Sequence, residues 1–204
     1  MTNEERKLEA TKLISQFSES IANIQISQDF SGIIESLVEC KGKIVTTGMG
    51  KAGIAMKKFA SILCSLGFSA TYLHPGEASH GDLGILDDGD ILFVASTSGK
   101  TREVIEIMEL ASIYDLHSII GITSHPDNIV REKSDYILDM GEIKEGGYLG
   151  LAPTTSILIM LALTDIVALV AAQEKGFTAE DYSKHHHSGY LGEIAREKAR
   201  KNIS

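Results

Sequence analysis

Hydrophobic residues follow two different spacings along the chain. In residues 4–25 they recur at steps of three to five, which predicts an amphipathic helix, and residues 28–39 fit a second helix that Ser27 would cap. From residue 43 onward, short apolar runs alternate with helical stripes. The runs predict five strands, at residues 43–47, 70–73, 90–95, 118–122 and 136–140.

The stripes between and after the strands predict further helices, at residues 52–66, 101–114, 127–133 and 154–175. Strands that alternate with helices imply right-handed crossovers and a parallel sheet that is covered on both faces. We therefore predict an α/β fold, a three-layer α-β-α sandwich with a five-stranded parallel sheet. It forms one domain over residues 1–204, with N-terminal helices at about 4–39 and a C-terminal arm at about 177–204.

The composition is that of a soluble globular protein, with 43% hydrophobic and 23% charged residues. The formal net charge of −9 repels nucleic acid and anionic lipid, so we expect neither as a partner. The polar, acidic N-terminus shows no signal peptide, and we expect a cytoplasmic protein. The apolar stretch 157–172 is shorter than the roughly 20 residues that cross a bilayer, and Asp165 interrupts it, so we expect a helix of the core or of a subunit interface.

A loop rich in serine and threonine follows the third predicted strand and opens the next helix. Its hydroxyls, from Ser96, Thr97, Ser98 and Thr101, lie where helix amides are unpaired and the helix dipole favours negative charge. We therefore expect a phosphate group to bind here. The loop resembles the end of a P-loop, but the glycine that this motif needs is replaced by Val94, which argues against a nucleotide triphosphatase.

Residues 48–53 read Gly-Met-Gly-Lys-Ala-Gly after the first strand, which matches the GxGxxG pattern of dinucleotide-binding proteins. That fingerprint also requires an acid at the end of the second strand, where this chain has His74. We therefore expect the glycines to allow another ligand to approach the backbone closely. Lys51 would add positive charge for a phosphate or a developing oxyanion.

The segment 74–84 contains two histidines, two acids and three glycines at the end of the second strand. A turn alone does not require this composition. The mixture of histidines and acids suits proton transfer and the binding of hydroxyl groups, and the candidate residues for these roles are His74, Glu77 and His80.

Two glutamates are candidates for a base that moves a proton between neighbouring carbons. Glu103 lies on the first turn of a predicted helix, where the helix dipole alone would favour an acid, and Glu145 lies in a glycine-rich loop. The sequence does not choose between them. The three histidines at 185–187 would point in different directions on a helix or a strand, so we expect one catalytic histidine there and no metal site.

These segments, in this order, resemble the sugar isomerase (SIS) domain and, within it, the arabinose 5-phosphate isomerases. The resemblance spans about residues 30–195, and its most specific parts are HPGEASHGDLG and LGLAPTTS. It implies a flavodoxin-like fold and an enzyme that interconverts D-ribulose 5-phosphate and D-arabinose 5-phosphate without a cofactor. The product of such enzymes feeds the synthesis of Kdo, a sugar of lipopolysaccharide and some capsules.

The resemblance also implies roles for individual residues. The catalytic group would be Lys51, His80, Glu103, Glu145 and His186. The substrate and its phosphate would be held by Thr47, Gly48, His74, Glu77, Ser96, Thr97, Ser98 and Thr101. Members of the family are commonly homotetramers that share active sites, so His80 or His186 would reach the site of a neighbouring subunit.

Two features depart from the family. Many members continue into a pair of CBS domains, whereas this sequence stops at Ser204, so we expect no CBS pair, with the regulation that those domains exert either absent or achieved otherwise. The family motif HPGGxLG reads HHSGYLG at residues 186–192, with His187 and Ser188 in place of proline and glycine.

Two alternative functions stay open: an isomerase of another phosphosugar, and a non-catalytic regulator that binds a sugar phosphate.

Overall fold

Five strands form a single parallel sheet in the computed structural model, which describes residues 1–187 and 189–201. They lie in the order β2-β1-β3-β4-β5. Their bounds are β1 Ile44–Gly48, β2 Ala70–Leu73, β3 Ile91–Ala95, β4 Ser118–Thr123 and β5 Tyr136–Asp139. The predicted three-layer α/β architecture is confirmed, and each strand bound agrees with the sequence analysis to within one residue.

Helices cover both faces of this sheet. They are α1 Asn3–Ala22, α2 Phe30–Glu39, α3 Gly50–Ser65, α4 Pro75–Ala78, α5 Arg102–Ala111, α6 Ile129–Glu132, α7 Thr155–Glu174, α8 Ala179–His185 and α9 Gly189–Lys201, with a 3-10 turn at Asp82–Ile85. Helices α2, α3 and α7 contribute to the core on one face, and α4, α5 and α6 contribute to the core on the other. Helix α1 packs on α7, outside these layers.

Strand β3 shows why the sheet is covered on both sides. Its residues are all buried, and they alternate between the two cores, with Ile91 and Phe93 on the α3 face and Leu92 and Val94 on the α5 face. Phe93 packs edge-on against Phe59 of α3, with ring centroids 5.0 Å apart. An uninterrupted apolar run is therefore the sequence that this central position requires.

Helix α7 contains the apolar stretch that we assigned to the core or to an interface. It has 20 residues, and its most apolar window has a mean hydropathy of 2.2, so length and composition alone would allow a membrane span. In the fold, 56% of that window is buried, and Met160, Leu163 and Val167 belong to the core that α7 shares with α2 and α3. The prediction of a core helix is confirmed.

The segments outside the central layers differ in detail from the sequence analysis. The prediction that Ser27 caps α2 was wrong, because its hydroxyl donates to the Ile137 carbonyl at 3.0 Å. The N-cap residue is Asp29, whose carboxylate accepts from the Ile137 amide at 2.9 Å. The C-terminal arm forms two helices, α8 and α9, and Ser188 between them lies outside the described residues.

Candidate active site

The five strands end at one edge of the sheet, the carboxyl edge, formed by Gly48, Leu73, Ala95, Thr123 and Asp139. The order of the chain reverses at β1, because β2 pairs on one side of it and β3 on the other. Ligands of open parallel sheets bind in the crevice at such a point. Gly48 pairs with Ala95 in register, so the loops that follow these two residues begin side by side.

The serine-rich loop 96–101 is a compact turn at the N-terminus of α5. The hydroxyl of Ser96, which is buried, lies 2.9 Å from that of Thr101, and the Lys100 amide donates to the Ser98 hydroxyl at 3.2 Å. Helix α5 starts after Thr101 without a hydrogen bond from a capping side chain. Helix amides and several hydroxyls are therefore grouped at one turn, as an anion-binding site requires.

Asn128, to which no sequence motif assigns a role, shapes this loop. Gly99 has a φ of +66°, and a Cβ at that position would collide with the Asn128 side chain, so only glycine fits. Asn128 is buried and donates to the Thr123 hydroxyl at 3.2 Å and to the His125 carbonyl at 2.7 Å. Its role as the N-cap of α6 could be predicted from residue type, but its contact with Gly99 in another loop could not.

The loop after β1 is tied to the neighbouring strand β2. The Tyr72 hydroxyl donates to the Gly48 carbonyl at 2.7 Å, and burial raises the pKa of this phenol, which keeps it protonated. Thr47 is fully buried and its hydroxyl donates to the Leu73 carbonyl at 2.7 Å, so we assign its side chain to the sheet. Lys51 is exposed on the first turn of α3, at the carboxyl edge.

The histidine-rich segment 74–84 packs against α5. His74 caps the short helix α4, with its Nδ1 atom accepting from the Gly76 amide at 3.2 Å. Both α4 and the 3-10 turn contact α5, the helix that begins at the serine-rich loop. Glu77 and His80 are exposed on this segment. The structure therefore places the segment beside the helix that carries Glu103.

The two candidate bases have different surroundings. Glu103 is half-buried on the first turn of α5, two residues after Thr101. Glu145 is also half-buried, and its Oε2 atom accepts from the amides of Thr154 at 2.8 Å and of Ser156 at 3.2 Å. The Glu145 carboxylate therefore caps the long helix α7, a contact that the sequence analysis did not predict.

A cleft of about 830 Å³ at the carboxyl edge includes Thr97 of the serine-rich loop and Glu145 among its lining residues. The Ser124 amide donates to the Thr97 carbonyl at 3.0 Å, which joins two of the loops that form its wall. His125 and Arg131 also line it, and the Arg131 Nε atom donates to the His125 carbonyl at 3.1 Å. These two residues belong to no motif, so no role for them could be predicted from the sequence.

His186 does not lie with these residues within one chain. The arm begins at the opposite edge of the sheet, the amino edge, where the strands start. There Lys175 donates to the Gly67 carbonyl at 3.5 Å, Phe177 packs against Gly67, and the His185 ring lies 6.0 Å from that of Phe177. A five-residue strand separates the two edges by about 16 Å.

The arm itself holds the His186 ring. The ring stacks on Tyr182 with centroids 4.0 Å apart and planes 5° apart, and its Nδ1 atom lies 3.2 Å from the Tyr182 carbonyl. Across residues 1–187 and 189–201, no three His, Cys, Asp or Glu side chains are grouped so that they could hold a metal ion.

The model of the SIS domain family matches residues 36–170, which include all five strands, the serine-rich loop and Glu145. The chain belongs to the SIS domain family. Arabinose 5-phosphate isomerase KdsD of Escherichia coli K12 is 38% identical to it over 168 residues, which make up 82% of this chain and 51% of that protein. This SIS-domain chain thus spans about half the length of the curated relatives that it matches.

Several solved structures match this SIS-domain chain over most of its length. A Bacteroides fragilis protein, assigned as a phosphosugar isomerase involved in capsule formation, is 39% identical with a TM-score of 0.86, over 89% of this chain and 97% of that one. An Escherichia coli protein solved in complex with arabinose 5-phosphate is 28% identical with a TM-score of 0.86, over 91% of this chain and 100% of that one. The predicted family is confirmed.

Proposed function

We propose that this chain is an aldose–ketose isomerase that interconverts D-ribulose 5-phosphate and D-arabinose 5-phosphate. The observation that carries the proposal is the cleft of about 830 Å³ that Thr97 and Glu145 both line. A phosphate-binding loop and a candidate base within reach of one small ligand are what this reaction requires. The similarity to KdsD, and to a protein that binds arabinose 5-phosphate, supports this substrate.

The phosphate group binds at the N-terminus of α5 in this proposal. The hydroxyls of Ser98 and Thr101, together with amides of the first helical turn, donate to the phosphate oxygens, and the helix dipole favours the negative charge. Lys51 adds a positive charge from the first turn of α3, which follows the neighbouring strand β1. His74 and Glu77, on the segment that packs against α5, are proposed to bind hydroxyl groups of the sugar.

The reaction moves one proton between carbons and one between oxygens. A glutamate removes a proton from C1 of the ketose, and the electron pair forms the C1–C2 double bond of an enediolate while the C2 carbonyl oxygen becomes negative. The glutamate returns the proton to C2, and the hydroxyl proton moves from O1 to O2. Electrons are conserved within the substrate, so the balance requires no redox partner. Lys51 stabilises the enediolate oxygen.

His186 reaches the site from another subunit in this proposal. Within one chain the arm lies at the amino edge, whereas the cleft lies at the carboxyl edge, so one chain does not complete the predicted constellation. Exposed apolar side chains on α1 and α9, such as Ile14 and Tyr190, would be covered in a homotetramer. We also propose a cytoplasmic enzyme whose product supplies Kdo synthesis, as the family resemblance implies.

The direct test is proton NMR of the purified protein with ribulose 5-phosphate. We expect anomeric signals of arabinose 5-phosphate, and a loss of about 10²–10⁴-fold in kcat when the base glutamate is replaced. Glu103→Gln and Glu145→Gln compare the two candidates, and Glu106→Gln, an exposed position one turn along α5, is the matched control. Absence of conversion, together with tight binding of the sugar phosphate, would instead support a non-catalytic SIS regulator or another substrate.

A further inference from the structure

The N-terminus of α7 holds the Glu145 carboxylate and the backbone amide that follows it, that of Gly146. Besides the two helix amides that donate to Oε2, the Thr154 hydroxyl lies 3.4 Å from Oε2 and accepts from the Gly146 amide at 3.1 Å. One oxygen of the carboxylate is therefore held at the N-terminus of α7. This contact alone does not determine where the loop that carries Glu145 lies relative to the cleft.

A second set of contacts reaches the same loop from α1. The Gln16 side-chain amide donates to the carbonyls of Lys144 at 3.2 Å and of Glu145 at 3.4 Å. Phe17 packs on the next residue, because a Cβ added to Gly146 would lie 2.7 Å from its ring. Gln16 and Phe17 thus contact three consecutive residues of the loop, 144–146.

Apart from these contacts, α1 packs on α7 and lies outside the core layers. None of its 20 residues is buried, and it lies before the segment 36–170 that defines the family domain. Residues of α1 and residues 139–144 line a cleft of about 900 Å³. Among the described residues, the two cores contain none from α1, so the contact with the Glu145 loop is a separate feature of this helix.

The first turn of α7 contains further hydrogen-bond donors that do not donate to the Glu145 carboxylate. The hydroxyls of Thr155 and Ser156 are buried and have no hydrogen-bond partner within the described residues. A carboxylate that is already bonded to the Ser156 amide could exchange toward such donors if its loop shifted. The tether from Gln16 opposes that shift, because it fixes the carbonyl of Glu145 itself.

We propose that α1 positions Glu145 for proton transfer, with Gln16 as a positioning residue that acts through the backbone of residues 144–145. This inference rests on the proposed isomerase activity for its kinetic readout. A displacement of the reacting group by about 1 Å costs on the order of 10²-fold in rate, so loss of a single tether is expected to reduce kcat by about 10-fold. The phosphate site lies on another loop, so KM is expected to stay unchanged.

The kinetic test compares Gln16→Ala with Gln25→Ala. Gln25 is a matched control, because it lines the same 900 Å³ cleft but, within the described part of the chain, its side-chain amide donates only to the nearby Asn23 carbonyl. We expect a lower kcat for Gln16→Ala and wild-type kinetics for Gln25→Ala. In a Glu145→Gln background the effect of Gln16→Ala should disappear, because a residue that acts through Glu145 has nothing left to position.

Three kinetic outcomes would overturn the proposal. The first is wild-type kcat in Gln16→Ala. The second is an equal fold-loss in the Glu145→Gln background, which indicates a general effect on the fold. The third is full activity of Glu145→Gln itself, since Gln16 would then act on a residue without a role in the reaction.

An exchange measurement separates this inference from the proposed function. Hydrogen–deuterium exchange of residues 144–156 is expected to rise in Gln16→Ala and to stay unchanged in Gln25→Ala. If the wild-type chain does not convert ribulose 5-phosphate, the proposed function fails, and the exchange data still test the tether. Unchanged exchange in Gln16→Ala overturns the tether whether or not the chain is an isomerase.

Discussion

The two edges of the sheet use their polar residues in different ways. At the amino edge they are paired with one another. Asp90, only 1% exposed, accepts from the Lys43 amide at 2.8 Å, from the Lys43 ammonium at 2.7 Å and from the Asp87 amide at 2.9 Å. Ser36 and Ser118 share a buried hydrogen bond of 2.6 Å. Such groups satisfy the backbone and side chains around them and stabilise the fold.

The carboxyl edge carries more hydrogen-bonding capacity than its own structure uses. Helix α5 begins without a side-chain cap, and the hydroxyls of Thr155 and Ser156 are buried without a partner within the described residues. Natural proteins leave few buried polar groups unpaired, and an exception calls for an explanation such as a ligand. We therefore propose that acids and hydroxyls at the amino edge serve stability, whereas the unpaired hydroxyls and helix amides at the carboxyl edge serve binding and chemistry.

The largest effect on stability is expected at the amino edge. Asp90→Ala removes the acceptor of three hydrogen bonds and leaves the partly buried Lys43 ammonium unpaired, so the free energy of unfolding should fall by about 3 kcal/mol. Urea denaturation measures this change. The matched control is Asp88→Ala, because Asp88 is exposed and its carboxylate accepts a single bond from the described residues, that of the Asp115 amide at 2.9 Å.

The kinetics of Asp90→Ala test whether the amino edge also contributes to substrate binding. At a temperature where Asp90→Ala stays folded, its KM for ribulose 5-phosphate should equal that of the wild type. A raised KM in the folded variant would show that the amino edge also contributes to substrate binding, and the division between the two edges would fail.

A smaller effect, on substrate affinity, is expected at the carboxyl edge. Ser98→Ala removes a hydroxyl from the proposed phosphate site, and loss of one hydrogen bond to a charged group should raise KM by about 10-fold. Ser112→Ala, at the other end of the same helix α5, is the control, since its hydroxyl donates to the Glu109 carbonyl of its own helix. For Ser98→Ala, steady-state kinetics should show a raised KM, and thermal unfolding should show no loss of stability. Equal KM values for the two variants would contradict the phosphate assignment.

The comparison also explains what the sequence could reveal. Strand positions follow from local apolar runs, and a parallel sheet brings the segments after those runs to one edge. The serine-rich loop 96–101 and the glycine-containing segment 48–53 could therefore be placed at the carboxyl edge from the sequence. The preference of Ser98 and Thr101 for a helix N-terminus is likewise local. Such features depend on residues that are neighbours in the chain, and periodicity and residue type are sufficient to find them.

Contacts between distant segments could not be predicted in this way. The side chain of Gln16 meets the carbonyl of Lys144, and Ser27 bonds to the carbonyl of Ile137 rather than capping α2. In both cases a polar side chain has a local alternative of similar energy, and packing of remote elements decides between the alternatives. The contact of the Glu145 carboxylate with the N-terminus of α7 is of the same kind, because it requires the intervening loop to fold back.

The smallest effect on stability is expected in the arm, which begins at the amino edge and in which Asp181 is paired with Thr178 and Lys184. The hydrogen bond from the Thr178 hydroxyl, and then that from Lys184, lowers the pKa of the Asp181 carboxyl from an ordinary 3.8 to about 2. Because the ionised form is favoured in the folded arm, its contribution to the stability of α8 is present above pH 3.8 and is lost as the pH falls through about 2.

An NMR titration of the Asp181 carboxyl carbon, followed downward from neutral pH, should therefore have its midpoint near pH 2, and Thr178→Ala should move it toward 3.8. A wild-type midpoint at 3.8 would mean that this acid is solvated rather than paired. The pairing of acids would then be a property of the strand starts at the amino edge, and it would not extend to the arm that carries His186.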